Sequence, residues 1–405
     1  MEKESFFSKV GKIFGNIWNG FVNNVWPHIK KFFLIVGKGI KRFFKNQTVS
    51  YSCKRILSSC LTITLLVLVV ICLIRLLPET SFYNVSQYNK IKGQIGGDLG
   101  LIAANRYKFQ QLFKYGLTDQ AGNYRSVFYT FGDFIYKILP IPKQIPVAWT
   151  TDYSEVIEYQ TYLCYFGHSL KYAEPVTDIL VRRMPLSFTI SIVTTILTYL
   201  LSVPLGIAMA KKPGGIADKI GNVFIVLNYA IPALVFYLIM NSILGDPKGV
   251  FGWAKFGFIY EGKWHQLIPP IACVVFLSIP GLVIWIRRFM VDELSSDYVK
   301  FARSKGLSEG KIMYTHVLRN AMVPLVRNLP GTFLGAIVGS YYIETIWNIP
   351  GTGILLTTAL KAADLDIPVI QGLTVIYAAI SMLSFLLGDL ITVLFDPRIK
   401  ITSKE

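Results

Sequence analysis

Residues 268–286 read IPPIACVVFLSIPGLVIWI, a run without a charged side chain that Arg287 and Arg288 follow directly. A helix of about 20 mostly apolar residues crosses the core of a bilayer. The run therefore predicts a membrane span, and other segments of the chain meet the same criterion. The six predicted spans are 56–77, 188–210, 221–244, 268–286, 328–347 and 368–395.

The composition indicates an integral membrane protein. Hydrophobic residues make up 53% of the 405 positions and charged residues 16%, whereas soluble domains carry about 25% charged residues. The formal net charge of +17 is unevenly placed: residues 1–55 hold 11 Lys and Arg against 2 acids, and residues 78–187 hold 11 against 9. This excess follows membrane sidedness, so we predict no nucleic-acid partner.

Basic residues in the short connections predict the orientation of the spans. Lysines lie between spans two and three, several Lys and Arg lie between spans four and five, and others follow span six. The positive-inside rule places these segments in the cytoplasm together with both termini. We therefore expect an all-α integral membrane protein with six transmembrane helices in the cell membrane.

Two regions outside the spans predict structure of their own. Apolar residues recur every three or four positions from Phe6 to Val25, which predicts an amphipathic helix at the membrane interface within the basic cytoplasmic region 1–55. Docking of this helix to a partner subunit remains the alternative. Residues 78–187 are too polar to span and predict an extracytoplasmic insertion between the first two spans. Residues 188–400 form the remaining transmembrane core.

No enzyme or metal site is indicated. The chain contains no GxxxxGK[ST] phosphate loop, no HExxH and no GxSxG motif, and its four histidines are scattered. The five cysteines show no metal-ligand spacing. We therefore expect a protein that is not an enzyme, with no catalytic residue, no metal ligand and no cofactor of its own.

Charged residues within the predicted spans lie near their ends. Arg75 is expected to extend its side chain to the interface, and Glu344 and Asp389 are expected to pair locally or to face the interface. Coupling to protons or ions calls for carboxylates near the middle of a span. The lack of such carboxylates weighs against a secondary transporter.

The connection at 292–324 is long and has the pattern of an ordered structure. Residues 297–324 read DYVKFARSKGLSEGKIMYTHVLRNAMVP. Ser296 or Asp297 can cap a first helix, Gly306 suits its left-handed end, and Ser308 can cap a second helix. The prediction is a glycine elbow on the cytoplasmic side. A groove-docking element and a merely amphipathic surface loop both remain open interpretations.

Five motifs occur in order along residues 165–400. They are Phe166-Gly167-His168-Ser169-Leu170-Lys171-Tyr172 with Pro175-Val176, the stretch Asp297 to Pro324, Pro350-Gly351-Thr352-Gly353, Pro368-Val369-Ile370-Gln371-Gly372, and Asp396-Pro397-Arg398-Ile399-Lys400. Together they resemble the permeases of oligopeptide/dipeptide/nickel-type ABC importers. Asn348-Ile349 and Asp364-Leu365-Asp366 depart from the family pattern near the predicted outer mouth.

The resemblance implies a pore-forming permease subunit of an ATP-driven oligopeptide importer. It implies a second homologous permease, two cytoplasmic ATPase subunits that bind ATP and Mg²⁺, and an extracytoplasmic peptide-binding protein as partners. The residues that would couple to the ATPases are Asp297, Tyr298, Val299, Phe301, Ala302, Arg303, Lys305, Gly306, Leu307, His316, Arg319 and Asn320.

The same resemblance leaves alternatives for cargo and source. An importer of nickel or another small solute with this architecture is one alternative, and an ATP-independent secondary transporter is another. The enlarged 78–165 segment and the extension before the first span resemble permeases of Gram-positive or wall-less bacteria.

Overall fold

The computed structural model describes residues 47–119, 122–149, 156–172, 174–361 and 365–395. The amphipathic helix predicted between Phe6 and Val25 and the closing motif at 396–400 lie outside these residues. The chain divides into two compact units, Met1–Ser58 with Arg398–Glu405, and Ser59–Pro397. Of the first unit the structure describes only residues 47–58, which are helical.

The described elements are predominantly helical. In chain order they are α1 (Gln47–Arg75), a 3₁₀ turn (Glu79–Phe82), α2 (Val85–Ile95), α3 (Gly97–Lys114), α4 (Val127–Ile138), β1 (Lys143–Trp149), β2 (Val156–Tyr162), α5 (Val176–Lys211), α6 (Ile216–Ala230), α7 (Ala233–Gly245), two 3₁₀ turns (Gly252–Ala254 and Trp264–Leu267), α8 (Ile268–Leu294), α9 (Asp297–Ser304), a helical turn (Glu309–Lys311), a π-helix (Ile312–Val317), α10 (Leu318–Ile346), α11 (Thr352–Ala359) and α12 (Ile367–Phe395).

Among the described residues, five helical stretches are individually long and apolar enough to cross a membrane. They correspond to the predicted spans one, two, four, five and six. The predicted third span is divided into α6 and α7, which meet at 91°. Pro232 cannot donate a backbone hydrogen bond and keeps the preceding residue out of the helical conformation, so Ile231 is extended. The total is six if this bent pair counts as one span.

The segment before the second span departs from the all-α prediction. β1 and β2 form an antiparallel hairpin in which Lys143 pairs with Tyr162. β2 reads VIEYQTY, and its β-branched and aromatic residues favour a strand. The second long helix also begins earlier than predicted, at Val176, because the buried Val176, Ile179 and Leu180 pack against α11 and α12.

The core of the second unit lies where α5 packs against α8 and where α10 packs against α5 and α12. Gly206 marks the close approach of the first pair, since a Cβ there would lie 2.5 Å from Cγ2 of Ile286. Only glycine therefore fits at this crossing. The loop at 292–324 continues directly from α8, because only two residues separate the end of α8 from the start of α9.

Candidate functional site

The glycine elbow forms at the end of α9 in the predicted conformation. Gly306 has a φ of 76°, in the left-handed region. Its N–H donates to the carbonyl of Arg303 at 2.9 Å, and the N–H of Leu307 donates to the carbonyl of Ala302 at 3.3 Å. This pair of bonds is the Schellman motif, which satisfies carbonyls that a helix end leaves free. Ser296 precedes α9, although its side chain makes no capping bond.

The second helix of the elbow begins at Ser308. The Ser308 hydroxyl accepts a hydrogen bond from the Lys311 N–H at 3.4 Å, as the sequence predicted for a cap. The chain then continues as a π-helix over Ile312–Val317 before α10. The elbow is thus joined directly to a long membrane helix.

One face of α9 is buried against the rest of the second unit. Val299 and Ala302 belong to the same apolar cluster as Met290 of α8 and Ile312 and Val317 beyond the elbow. Ala302 faces inward, so its size permits close packing of the elbow on its own helices.

The opposite face of α9 is exposed and basic. The ring of Phe301 is 60% exposed, and the Lys305 ammonium lies 4.4 Å from the ring centroid. Arg303 contacts Glu309 at 2.7 Å across the elbow, and Lys300 contacts Asp297 at 2.8 Å. The hydrogen bond from Lys300 and its charge lower the pKa of Asp297. The exposed face of α9 thus presents one aromatic side chain together with charged side chains.

The remaining predicted coupling residues are divided between the two faces. Tyr298 donates its hydroxyl to Glu293 at 2.6 Å and also hydrogen-bonds Asn320, which brings the two ends of the loop together. Burial, followed by the bond to Glu293, raises the pKa of Tyr298 to about 12. Leu307 packs on the apolar cluster, His316 is half-buried, and Arg319 is exposed.

Gly306→Ala is expected to destabilise the protein by about 1 kcal/mol, because an L residue is strained at positive φ. Gly310→Ala is the matched control: a methyl group meets nothing within 4 Å at either position, and Gly310 lies in a helical turn that favours alanine. The thermal unfolding midpoints of the two variants, measured in detergent, test this expectation. Equal midpoints for the two variants would contradict the strain at Gly306.

A second polar cluster lies at the far end of α10, about 39 Å along its axis from Leu318. Glu344 is completely buried there. Its carboxylate accepts hydrogen bonds from the Ser187 hydroxyl at 2.6 Å, the Ser340 hydroxyl at 2.9 Å and the Gly353 N–H at 2.6 Å. The local pairing predicted for Glu344 is present, whereas exposure at the interface is wrong.

The Pro350-Gly351-Thr352-Gly353 motif wraps around this carboxylate. A Cβ at Gly353 would lie 2.5 Å from the Cα of Tyr341, and one at Gly351 would collide with the Glu344 carboxylate. The Thr352 N–H donates to Ser187 at 2.8 Å. The two glycines therefore allow the start of α11 to approach the charge, where N–H groups at a helix start favour an anion.

Two other motifs meet through Asp366. Its carboxylate accepts a hydrogen bond from the Ser169 hydroxyl and another from the Lys171 N–H, the latter at 3.3 Å. Gly167 has a φ of 95°, and a Cβ there would lie 3.2 Å from Cβ of Pro368. The motif before span two and the motif that begins span six are therefore one structural feature.

Sequence reasoning missed the ion pair that joins α6 to α8. The Arg287 guanidinium donates to both oxygens of Asp218, at 2.5 and 2.8 Å, and the Gly214 N–H donates to the same carboxylate. In the sequence, Arg287 indicates only the orientation of the spans. The pairing predicted for Asp389 is present, since Arg327 lies 3.4 Å from it. The described residues contain no group of three or more His, Cys, Asp or Glu side chains suited to a metal.

Comparison with known proteins identifies the family. Residues 202–401 match the family described as binding-protein-dependent transport system inner membrane component. The oligopeptide transport system permease protein AmiC of Streptococcus pneumoniae serotype 4 is 39% identical over 212 residues, which cover 52% of this chain and 41% of AmiC. The dipeptide transport system permease protein DppB of Lactococcus lactis subsp. cremoris is 31% identical over 255 residues, which cover 60% of this chain and 81% of DppB.

The chain thus spans less than half the length of AmiC and most of the length of DppB. Among solved structures, an inward-facing MetNI methionine ABC transporter matches with a TM-score of 0.42 and 16% identity, over 54% of this chain and 97% of that chain. The family match and the extensive coverage of DppB lead to one conclusion. The chain belongs to the family of binding-protein-dependent transport system inner membrane components and is a protein of the cell membrane.

Proposed function

We propose that the chain is the pore-forming permease subunit of an ATP-driven oligopeptide importer. The relatives support the cargo class, since AmiC is an oligopeptide and DppB a dipeptide permease protein. The family description supports delivery by a binding protein. The partners are a second homologous permease, two ATPase subunits that bind ATP and Mg²⁺, and an extracytoplasmic peptide-binding protein.

The exposed face of the elbow is the observation that carries the coupling role. Among the described residues, the Phe301 ring is mostly exposed, and the Lys305 ammonium lies over it. The ion pairs Arg303–Glu309 and Lys300–Asp297 belong to the same elbow. The opposite face is anchored by Val299 and Ala302. An exposed aromatic side chain on a helix that is anchored by its opposite face suits a groove on a partner. The Arg- and Lys-rich composition of the loop supports a cytoplasmic position, on the side of the ATPases.

This orientation assigns the sides of the remaining features. Six spans, with α6 and α7 counted as one, bring both termini to the cytoplasmic side. Glu344 and Asp366 then lie at the extracytoplasmic ends of α10 and α12. A displacement of the elbow is transmitted towards Glu344 along α10, which is a single long helix.

Uptake of a labelled oligopeptide tests the proposal. The chain is purified with the subunits that accompany it and reconstituted into liposomes, with the binding protein added outside. We expect uptake that requires both ATP and the binding protein. Transport without any ATPase subunit would instead favour a secondary transporter, and uptake of nickel without peptide would favour the small-solute importer.

A further inference from the structure

Helix α4 lies beside two membrane spans, well inside their ends. Phe134 lines an apolar crevice together with α1 residues between Leu66 and Ile71 and α12 residues between Gln371 and Val375. At 1.5 Å per residue, Leu66–Ile71 lie about 6–14 Å before the end of α1. Gln371–Val375 lie about 6–12 Å after the start of α12 at Ile367. Measured from the end of α1 and from the start of α12, Phe134 therefore lies at the same depth along both spans.

The face of α4 that points away from these spans is aromatic and uncharged. Phe128 is 78% exposed and Tyr136 is 56% exposed, and Gly132 lies between them on the same side of the helix. The charged residues of α4 neutralise each other, because the Lys137 ammonium contacts the Asp133 carboxylate at 2.6 Å. A surface of Phe and Tyr without net charge is typical of a helix at the headgroup and acyl boundary.

Side chains form hydrogen bonds with the backbone groups at the start of α4. The Ser126 hydroxyl accepts a hydrogen bond from the Tyr129 N–H at 3.2 Å. Arg75, at the end of α1, donates to the carbonyl of Arg125 at 2.8 Å and to the Thr130 hydroxyl at 2.7 Å. The Arg75 side chain, expected at the interface, is therefore bound by the protein rather than by water alone. It ties the start of α4 to the end of the first span.

The end of α4 is capped by a buried ammonium. Lys143 donates to the carbonyls of Tyr136, Lys137 and Leu139, at 2.5, 3.1 and 2.7 Å. The Tyr165 N–H donates to the Lys137 carbonyl at 2.9 Å as well. Water can satisfy the terminal carbonyls of a surface helix, whereas a helix end at membrane depth needs partners from the protein.

We infer that α4 is inserted in the membrane leaflet at the Arg75 end of α1, and that its Phe128–Tyr136 face contacts lipid. On α1, the side chains of Leu65, Val69 and Leu73 are likewise apolar and exposed. Residues 78–187 are then not wholly extramembranous. The inference rests on the position of the spans and is independent of any transport activity.

Dye-labelled single-cysteine variants test the position of α4. The five cysteines of the full chain are replaced by alanine, and Tyr136→Cys or Phe128→Cys is labelled with an environment-sensitive maleimide. Tyr124→Cys is the matched control: Tyr124 is 53% exposed, and its hydroxyl contacts Glu79, which forms a solvent-exposed ion pair with Lys108. The proteins are studied in phosphatidylcholine and phosphatidylglycerol nanodiscs, with either nitroxide-labelled lipid or iodide as quencher.

Labels at Tyr136→Cys and Phe128→Cys are expected to emit at shorter wavelength and to be quenched several-fold more by the lipid nitroxide than the label at Tyr124→Cys. Iodide is expected to show the reverse order. Iodide quenching as strong at Tyr136→Cys as at Tyr124→Cys would place α4 in water and overturn the inference. Protection of both α4 positions from both quenchers would overturn it too, because another protein surface would then cover this face.

Discussion

Phe301→Ala is expected to weaken association with the ATPase subunit by about thirtyfold and to reduce ATP-dependent peptide uptake correspondingly. A buried aromatic anchor at an interface contributes about 2 kcal/mol or more when it is truncated. The Phe301 ring is exposed and does not support the elbow, whose packing depends on Val299 and Ala302. The variant should therefore insert normally, and copurification together with uptake measures the loss.

Lys300→Ala is the matched control for this prediction. Lys300 lies next to Phe301 on α9, is exposed, and among the described residues pairs with the exposed Asp297 at 2.8 Å. Exposed ion pairs contribute about 0–1 kcal/mol, so uptake should change little. Full uptake by Phe301→Ala, or equal losses in both variants, would refute Phe301 as the anchor. Ala302→Trp should differ from both, because it disrupts the packing of the elbow itself and lowers protein abundance.

Glu344→Ala is expected to lower the free energy of unfolding by about 3 kcal/mol. The Gly353 N–H would lose its carboxylate acceptor in a buried position, and the Ser187 and Ser340 hydroxyls would need new partners. Alanine would also leave a cavity where α10, α5 and α11 meet. The thermal unfolding midpoint in detergent should fall by several degrees.

Two further variants separate this network from a general effect of substitution at the end of α10. Thr345→Ala removes an exposed hydroxyl that bonds only within its own helix, to the Tyr341 carbonyl at 2.8 Å, and should change stability by less than about 0.5 kcal/mol. Glu344→Gln keeps the size and one acceptor, so it should fall between alanine and the natural residue. An unfolding midpoint for Glu344→Ala that equals that of Thr345→Ala would argue against the network.

The features that sequence reasoning predicted correctly depend on contacts between close neighbours. The Schellman motif at Gly306 joins residues no more than five positions apart, and the Ser308 cap joins residues three apart. The long apolar helices are likewise local, because each satisfies its own backbone in a bilayer. The structure that a glycine or a hydrophobic run adopts can therefore be predicted from the residues next to it.

The features that sequence reasoning missed depend on distant pairs. Ser187 and Glu344 are 157 positions apart, and Asp218 and Arg287 are 69 apart. The Glu344 network had one indirect signal, since two glycines follow the carboxylate within nine residues. Helix α4 had none, because its composition suits both an extramembranous module and a membrane interface.

The sequence by itself determined the class of protein, the apolar helices and the glycine elbow, because hydrophobic length and backbone conformation act within a few residues. Only the tertiary structure decided which faces are buried. It turned Ala302 inward and Phe301 outward, enclosed Glu344, and placed α4 beside α1 and α12. Burial is a property of the packed helices, and no single segment contains it.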